Sequence, residues 1–445
     1  MAPPSTNVLT APLQKQILPN PRVPGRSENL PPSDKLQLFK PIDLGDGLVL
    51  KNRLCFAPCT RRRCSDIPHY VPEPFVGEYY AQRASCGLLI SEATNISHHG
   101  VGSHSTPGIW SEEQVARWTE IVQEVHASKG VFFCQLWHTG RQSHSYFQPG
   151  NEPPLAPSAV RPKLRKFVKP YGMVEVETPK KMTLDDIKEA IEEYRHAAAN
   201  AKKAGFDGVE LHGANGYIVD QFLQDVTNKR EQPDPYSFYP LENRLRFLRE
   251  ALEAILTVYP PNRVGVRFSP FGHAGDMQDA SVPLTQETFK AAIALCTELK
   301  LAYVHLVEPP NQRAPDHIAG NKEQTFDPES LGLDQFLSVA KGSSTLRMTC
   351  GYKTRDRAAI DVEDERAELV AVGQFFISNP DLVDRYYNDF ELTPWDHDYF
   401  YNPDRNGYTN YPTYGMIKQA GLSPTSPTEE LLNCGTKGWH AKNEK

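Results

Sequence analysis

No apolar run in this 445-residue chain is long enough to cross a bilayer; stretches such as "LAYVHLVEPP" stop far short of the roughly 20 residues a spanning helix needs. No membrane contact is therefore expected. Blocks of basic residues are also missing, and the formal net charge is −7, which argues against nucleic acid as a partner. The eight cysteines, Cys55, Cys59, Cys64, Cys86, Cys134, Cys296, Cys350 and Cys434, form no C-x-x-C pair. Cys59 and Cys64 are close, but no His or further Cys completes a zinc site, so no metal is expected. Scattered thiols in a chain of this length point to reduced, buried cysteines in a cytoplasmic protein. The first 35 residues, polar and rich in proline, lack the apolar core of a signal peptide and read as a flexible extension outside the fold.

What is present is a repeated alternation. Eight short apolar runs recur: "RLCFAPC" (53–59), "GLLISEAT" (87–94), "GVFFCQLW" (130–137), "GVELHG" (208–213), "RVGVRFSP" (263–270), "AYVHLVEP" (302–309), "TLRMTCGY" (345–352) and "ELVAVGQFFIS" (368–378). They are continuously apolar, as strands buried on both faces are. Amphipathic helical patterns separate them. One begins at Ser111 with Gln114 three residues on, the spacing of a capping box, and another runs from Thr183 to Gly205. This pattern predicts an α/β fold, a single (β/α)8 barrel over residues 36–400, with a tail over 401–445 packed partly and irregularly on it. A doubly wound open sheet is the rival, but no G-x-G-x-x-G follows any strand. Two stretches exceed ordinary loop length, 138–182 after the third run and 309–329 after the sixth.

Barrel enzymes build their sites at the C-terminal ends of the strands. Those ends carry Pro58, Thr60 and Arg61; Glu92 and Thr94; Gln135, Trp137, His138 and Arg141; His212, Asn215 and Tyr217; Arg267 and Ser269; His305 and Glu308. Gly351 and Gly373 mark the turns after the seventh and eighth runs, where barrels commonly hold a phosphate on backbone N–H groups. Arg267, if it points into the barrel mouth, needs an anionic or polar partner, and Gln135 suits the alternating donors and acceptors of a heterocycle. Each has a plainer use: Arg267 could pair with Glu92 or Glu308, and His212 could be a satisfied structural histidine. Their convergence on one rim points to a barrel enzyme with a phosphate-bearing heterocyclic cofactor.

The motifs "APCTR", "LLISEAT", "FFCQLWHTGR", "GVELHGANGYIVDQFL", "VGVRFSPFG" and "FFISNPDLVDRY" resemble the old yellow enzymes, including the plant 12-oxophytodienoate reductases, over essentially the whole barrel. The H-x-x-N-x-Y arrangement of His212, Asn215 and Tyr217 is the most diagnostic. The resemblance implies non-covalent FMN, with Pro58, Cys59, Thr60 and Ala93 against the ring and Gln135 at its polar edge. Arg267 would lie near N1/O2, and Gly351, Tyr352, Gly373 and Gln374 near the phosphate. It further implies NADPH as reductant and an enone or enal as substrate. His212 and Asn215 would hold the carbonyl, Tyr217 would be the proton donor, and Trp137, Phe271 and Tyr401 would shape the pocket. A monomer or homodimer is expected.

The chain departs from the family pattern at two places. Gln374 stands where the family carries Arg, which removes a charge-assisted bond to the phosphate. The loop over 228–243 lacks both family glycines. An isomerase or specialised biosynthetic enzyme on the same fold, and a non-catalytic binding protein with weakened FMN affinity, are the alternative readings. Intact His212, Asn215 and Tyr217 favour net reduction.

Overall fold

Strands that face water on neither side must be covered within by their own side chains and without by helices. In the computed structural model, which describes residues 29–169, 171–277, 281–308, 332–351 and 354–443, the eight runs form such strands. They are β1 Leu54–Phe56, β2 Leu88–Ile90, β3 Phe132–Trp137, β4 Gly208–Gly213, β5 Val264–Phe268, β6 Tyr303–Val307, β7 Leu346–Cys350 and β8 Leu369–Val372. Each pairs in parallel with the next, and β8 pairs with β1, so the sheet closes on itself. Closure leaves no edge, and the architecture is a (β/α)8 barrel. The expected (β/α)8 fold is the one observed.

Alternation along each strand sorts the side chains. Leu54 and Phe56, Phe132 and Cys134, Val209 and Leu211 belong to the apolar layer between strands and helices. Cys55, Leu88, Ile90, Phe133, Tyr303, Met348 and Ala371 fill the interior. Leu44 and Leu50, from the antiparallel hairpin Ile42–Asp43 with Val49–Leu50, pack into the same interior cluster. The helices Glu112–Ala127 and Leu184–Ala204 open on capping boxes. Ser111 Oγ accepts from the Gln114 N–H at 3.2 Å, and Thr183 Oγ1 from the Asp186 N–H at 3.1 Å. Among the described residues no helix is long and apolar enough to cross a membrane.

The stretch after β3 is ordered by the hairpin Arg165–Val168 with Gly172–Glu175, whereas residues 309–331, which include the second long loop, lie outside the described residues, as do residues 1–28 of the extension. The tail is more regular than its composition suggests, with helices Tyr414–Gln419 and Thr428–Asn443. It is tied to the barrel by two buried arginines. Arg61 donates to the carbonyls of Phe400 (3.2 Å) and Gly407 (2.7 Å) and to the Tyr79 hydroxyl (2.8 Å). Arg63 donates to the carbonyls of Arg61, Phe400 and Tyr399. Tyr408 stacks on Tyr79 at 3.9 Å. The Arg61→Leu variant leaves the buried Gly407 carbonyl and Tyr79 hydroxyl without their donor and should lose about 1–3 kcal/mol of stability. A urea-unfolding midpoint equal to wild type would show that Arg63 and the aromatic contacts hold the tail without Arg61.

Candidate active site

The inner face of the upper barrel is polar, because alternation brings every second residue of β3 to β7 to one layer. The register sets Gln135 beside Glu210, His212 beside Arg267, and Arg267 beside His305. At its centre is the Glu210 carboxylate. One oxygen accepts from Gln135 Nε2 at 2.7 Å, and the other lies 2.9 Å from His305 Nδ1. All three residues are buried. Burial would lower the His305 pKa, but the Glu210 charge together with hydrogen bonds to Cys350 and Glu210 raises it on balance. Arg267 extends from β5 beside them. Its Nη2 donates to Cys350 Sγ at 3.6 Å, and its Nε is buried with no hydrogen-bond partner. Burial also pushes the Cys59 thiol up to about 11, which keeps it neutral.

Three different donors meet at the end of β4. The Ala214 N–H donates to His212 Nδ1 at 3.4 Å, so the proton of the neutral ring resides on Nε2. Burial, then the positive charges of Arg267 and His305, hold the His212 pKa well below its ordinary value, so the imidazole stays neutral. Asn215 adopts the left-handed conformation at φ 60°, which Asn tolerates better than most residues. That turn is held on both sides: its N–H donates to Ser269 Oγ at 2.8 Å, and its carbonyl accepts from Gln142 Nε2 at 2.7 Å. Gly216 follows at φ +76°, where an added Cβ would meet the Ala274 carbonyl oxygen at 2.5 Å. Tyr217 then starts the helix Ile218–Leu223. Its ring stands edge-to-face to His212 at 4.9 Å and to Trp137 at 5.0 Å. Burial, reinforced by Tyr401, pushes the phenol up to about 12 against the pull of Arg62 and Arg267. A neutral imidazole N–H and a protonated phenol therefore meet at one strand end, with Asn215 on the turn between them.

The remaining expected residues occupy the same rim, with one exception. Pro58, Cys59 and Thr60 are half-buried on the segment leaving β1. Its course is set by Glu92, whose Oε2 accepts the N–H groups of Arg61 (2.9 Å) and Arg62 (3.2 Å). Ala93 is buried beyond β2, and Trp137 closes β3 with its indole Nε1 buried and unpartnered. Gly351, at φ +114°, follows β7; Gly373 follows β8, where an added Cβ would meet Cys59 Sγ at 3.3 Å. Gln374 is exposed at the start of the helix Gln374–Ser378, Tyr401 is exposed on the tail, and Phe271 is buried beyond β5. Tyr352 lies outside the described residues.

Two strand-end residues turn out to be structural. Arg141 donates to the carbonyls of Val160, Gly275 and Asp276, and Glu308 pairs with Arg366 at 3.1 Å. The altered loop is secured by Arg230, which pairs with Asp234 at 2.7 Å and donates to the carbonyls of Pro157 and Met182. Glu210 was not among the candidates read from the sequence, although its place two residues before His212 puts it on the same inward face.

Removing Glu210 leaves the buried His305 ring and the buried Gln135 amide without their shared acceptor. Glu210→Ala should cost about 3–5 kcal/mol in chemical denaturation. Because the His305 pKa is raised, the wild-type contribution is full below the ordinary value of 6.5 and is lost as pH rises through the raised value. Identical pH dependence of stability in wild type and variant would contradict the raised His305 pKa.

The family model of the NADH:flavin oxidoreductase / NADH oxidase family matches residues 37–392. Among curated proteins, 12-oxophytodienoate reductase 7 of Oryza sativa subsp. japonica is 38% identical over 400 residues, covering 87% of this chain and 98% of that protein. Flavin oxidoreductase hxnT of Emericella nidulans is 37% identical over 388 residues, covering 84% and 97%. Among solved structures, morphinone reductase superposes with a TM-score of 0.76 at 38% identity, covering 85% of this chain and 96% of that one. The old yellow enzyme homologue from Zymomonas mobilis gives a TM-score of 0.75 at 35% identity, covering 84% and 99%. With a family match across most of the chain and relatives this similar over nearly their full length, the protein belongs to the NADH:flavin oxidoreductase / NADH oxidase family and is a flavin oxidoreductase of the old yellow enzyme type.

Proposed function

We propose that the protein is an ene-reductase that uses NADPH to reduce the C=C bond of α,β-unsaturated carbonyl compounds on bound FMN. The observation that carries this reading is the trio at the end of β4: neutral His212 with its proton on Nε2, Asn215, and protonated Tyr217 packed 4.9 Å from the His212 ring.

The residues present fit FMN. Arg267 has a buried Nε without an acceptor and a guanidinium next to the inner polar layer, a suitable neighbour for the N1/O2 edge of a flavin. Gln135, held by Glu210, would meet the polar edge of the ring. Pro58, Cys59, Thr60 and Ala93 would line it. Gly351 and Gly373, with no side chains at the ends of β7 and β8, leave the backbone open to a phosphate, and Tyr352 and Gln374 would complete that segment. When bound, FMN would supply the two-electron transfer between the reduced nicotinamide and the substrate C=C bond.

His212 Nε2–H and the Asn215 amide donate to the substrate carbonyl oxygen, where negative charge develops as the β-carbon is reduced. A neutral imidazole suits this role, since it donates a hydrogen bond without giving up its proton. Tyr217 delivers its phenolic proton to the α-carbon; a pKa of about 12 keeps that proton in place until a carbanion-like centre forms beside it. Trp137 buttresses the Tyr217 ring and, with Tyr401, bounds the space where the substrate lies.

The purified protein should be yellow, with a flavin absorption spectrum and free FMN released on denaturation. Protein that stays colourless after FMN is added would overturn the reading and bring forward the binding-protein alternative suggested by Gln374. The Tyr217→Phe variant should slow oxidation of the reduced protein by an enone about 10²–10⁴-fold while its reduction by NADPH persists. Equal loss of both half-reactions, followed by stopped-flow absorbance, would remove Tyr217 from the proton-donor role.

A further inference from the structure

The three consecutive arginines after Thr60 do not share one fate. Arg61 and Arg63 are consumed by tail carbonyls, as described above. Arg62, between them, adopts a left-handed backbone at φ 58°, fixed by its N–H to Glu92, and its side chain departs toward the pocket. Its guanidinium lies over the Tyr401 ring at 4.7 Å, and its Nε is buried with no hydrogen-bond partner. Among the described residues no carboxylate pairs with it. Its charge is close enough to lower the pKa of Tyr217.

A second basic group lies within electrostatic reach of it. Lys166, on the hairpin that follows β3, is half-buried, and its Nζ donates to the Gly102 carbonyl at 2.7 Å and more weakly to Ser103 Oγ at 3.4 Å. It too lacks a carboxylate partner among the described residues, whereas Lys169, three residues on, pairs with Asp66 at 3.0 Å. Burial, then the neighbouring charge of Arg62, pushes the Lys166 ammonium down to about 7. Two basic groups this near each other, partly desolvated and without a carboxylate partner among the described residues, disfavour each other's charge, and an anion bound between them relieves that cost. The planar fork of an arginine resting on an aromatic ring is suited to a carboxylate or phosphate.

We propose that Arg62 and Lys166, with Tyr401 beneath the guanidinium, form an oxyanion subsite at the rim of the pocket that ends at Tyr217, and that this subsite selects reactants carrying a carboxylate or phosphate. The proposal rests on the ene-reduction reading above, in which two reactants visit one pocket in turn. The anion has two sources: the phosphate of the nicotinamide coenzyme, or an acidic group on the enone.

Calorimetric binding to the FMN-loaded protein separates them. The probes are two pairs, NADP⁺ against NAD⁺, and a cyclic enone carboxylic acid against its methyl ester. Each is titrated into wild type, Arg62→Gln and Lys166→Gln. In wild type the more anionic member of at least one pair should bind about tenfold or more tightly, and Arg62→Gln should reduce that preference to less than about threefold, with Lys166→Gln changing it in the same direction. The pair whose preference collapses identifies the source. Equal binding within both pairs in wild type, or a preference that both variants retain, overturns the proposal. Reduction of the neutral ester is followed separately. An ester that binds but is not reduced refutes the ene-reductase reading and leaves the subsite standing. Reduction of the ester with no anion preference does the reverse.

Discussion

A buried carboxylate between two buried partners organises the upper barrel. Glu210 reaches Gln135 on one neighbouring strand and, across β5, His305 on β6. In a closed barrel these residues have no route to water, so each must find its partner on the inner face. The register makes this possible. Had one strand slipped by a residue, its polar groups would face the apolar layer under the helices instead. The same constraint fixes Gln135, because an amide committed to a buried acceptor has one orientation to present above it.

The charges of this layer also determine the state of the residues above. Arg267 and His305 are positive neighbours of His212, and together with burial they keep its imidazole neutral. Burial raises the phenol of Tyr217, while the nearby arginines restrain the rise. The site thus combines a neutral imidazole with a phenol that holds its proton well above neutral pH. Neither property belongs to His or Tyr as residue types; both follow from what surrounds them.

The rim is built by a different device. Glu92 gathers the backbone of the segment after β1, and Arg61 and Arg63 anchor that segment to carbonyls of the tail. Buried guanidinium groups are stable here because backbone oxygens satisfy them. Tail and rim are therefore one unit, which brings Tyr401 to the pocket although it follows β8 by almost thirty residues.

By itself the sequence determined the fold class, the eight strands and the ends at which chemistry gathers, because continuous apolar runs separated by capped amphipathic helices have few other ways to bury themselves. It also marked His212, Asn215 and Tyr217, whose order within six residues survives any packing. Only the tertiary structure decided which rim charges hold the chain together and which are left without a carbonyl or carboxylate partner among the described residues. Arg61, Arg62 and Arg63 are indistinguishable as letters, yet backbone conformation sends two into the tail and one to the pocket mouth. Glu210 and His305 lie 95 residues apart and meet only through strand register. Periodicity assigns a residue to a face, but a hydrogen bond or an unpaired charge depends on what faces it across the barrel, and that is a property of the closed fold.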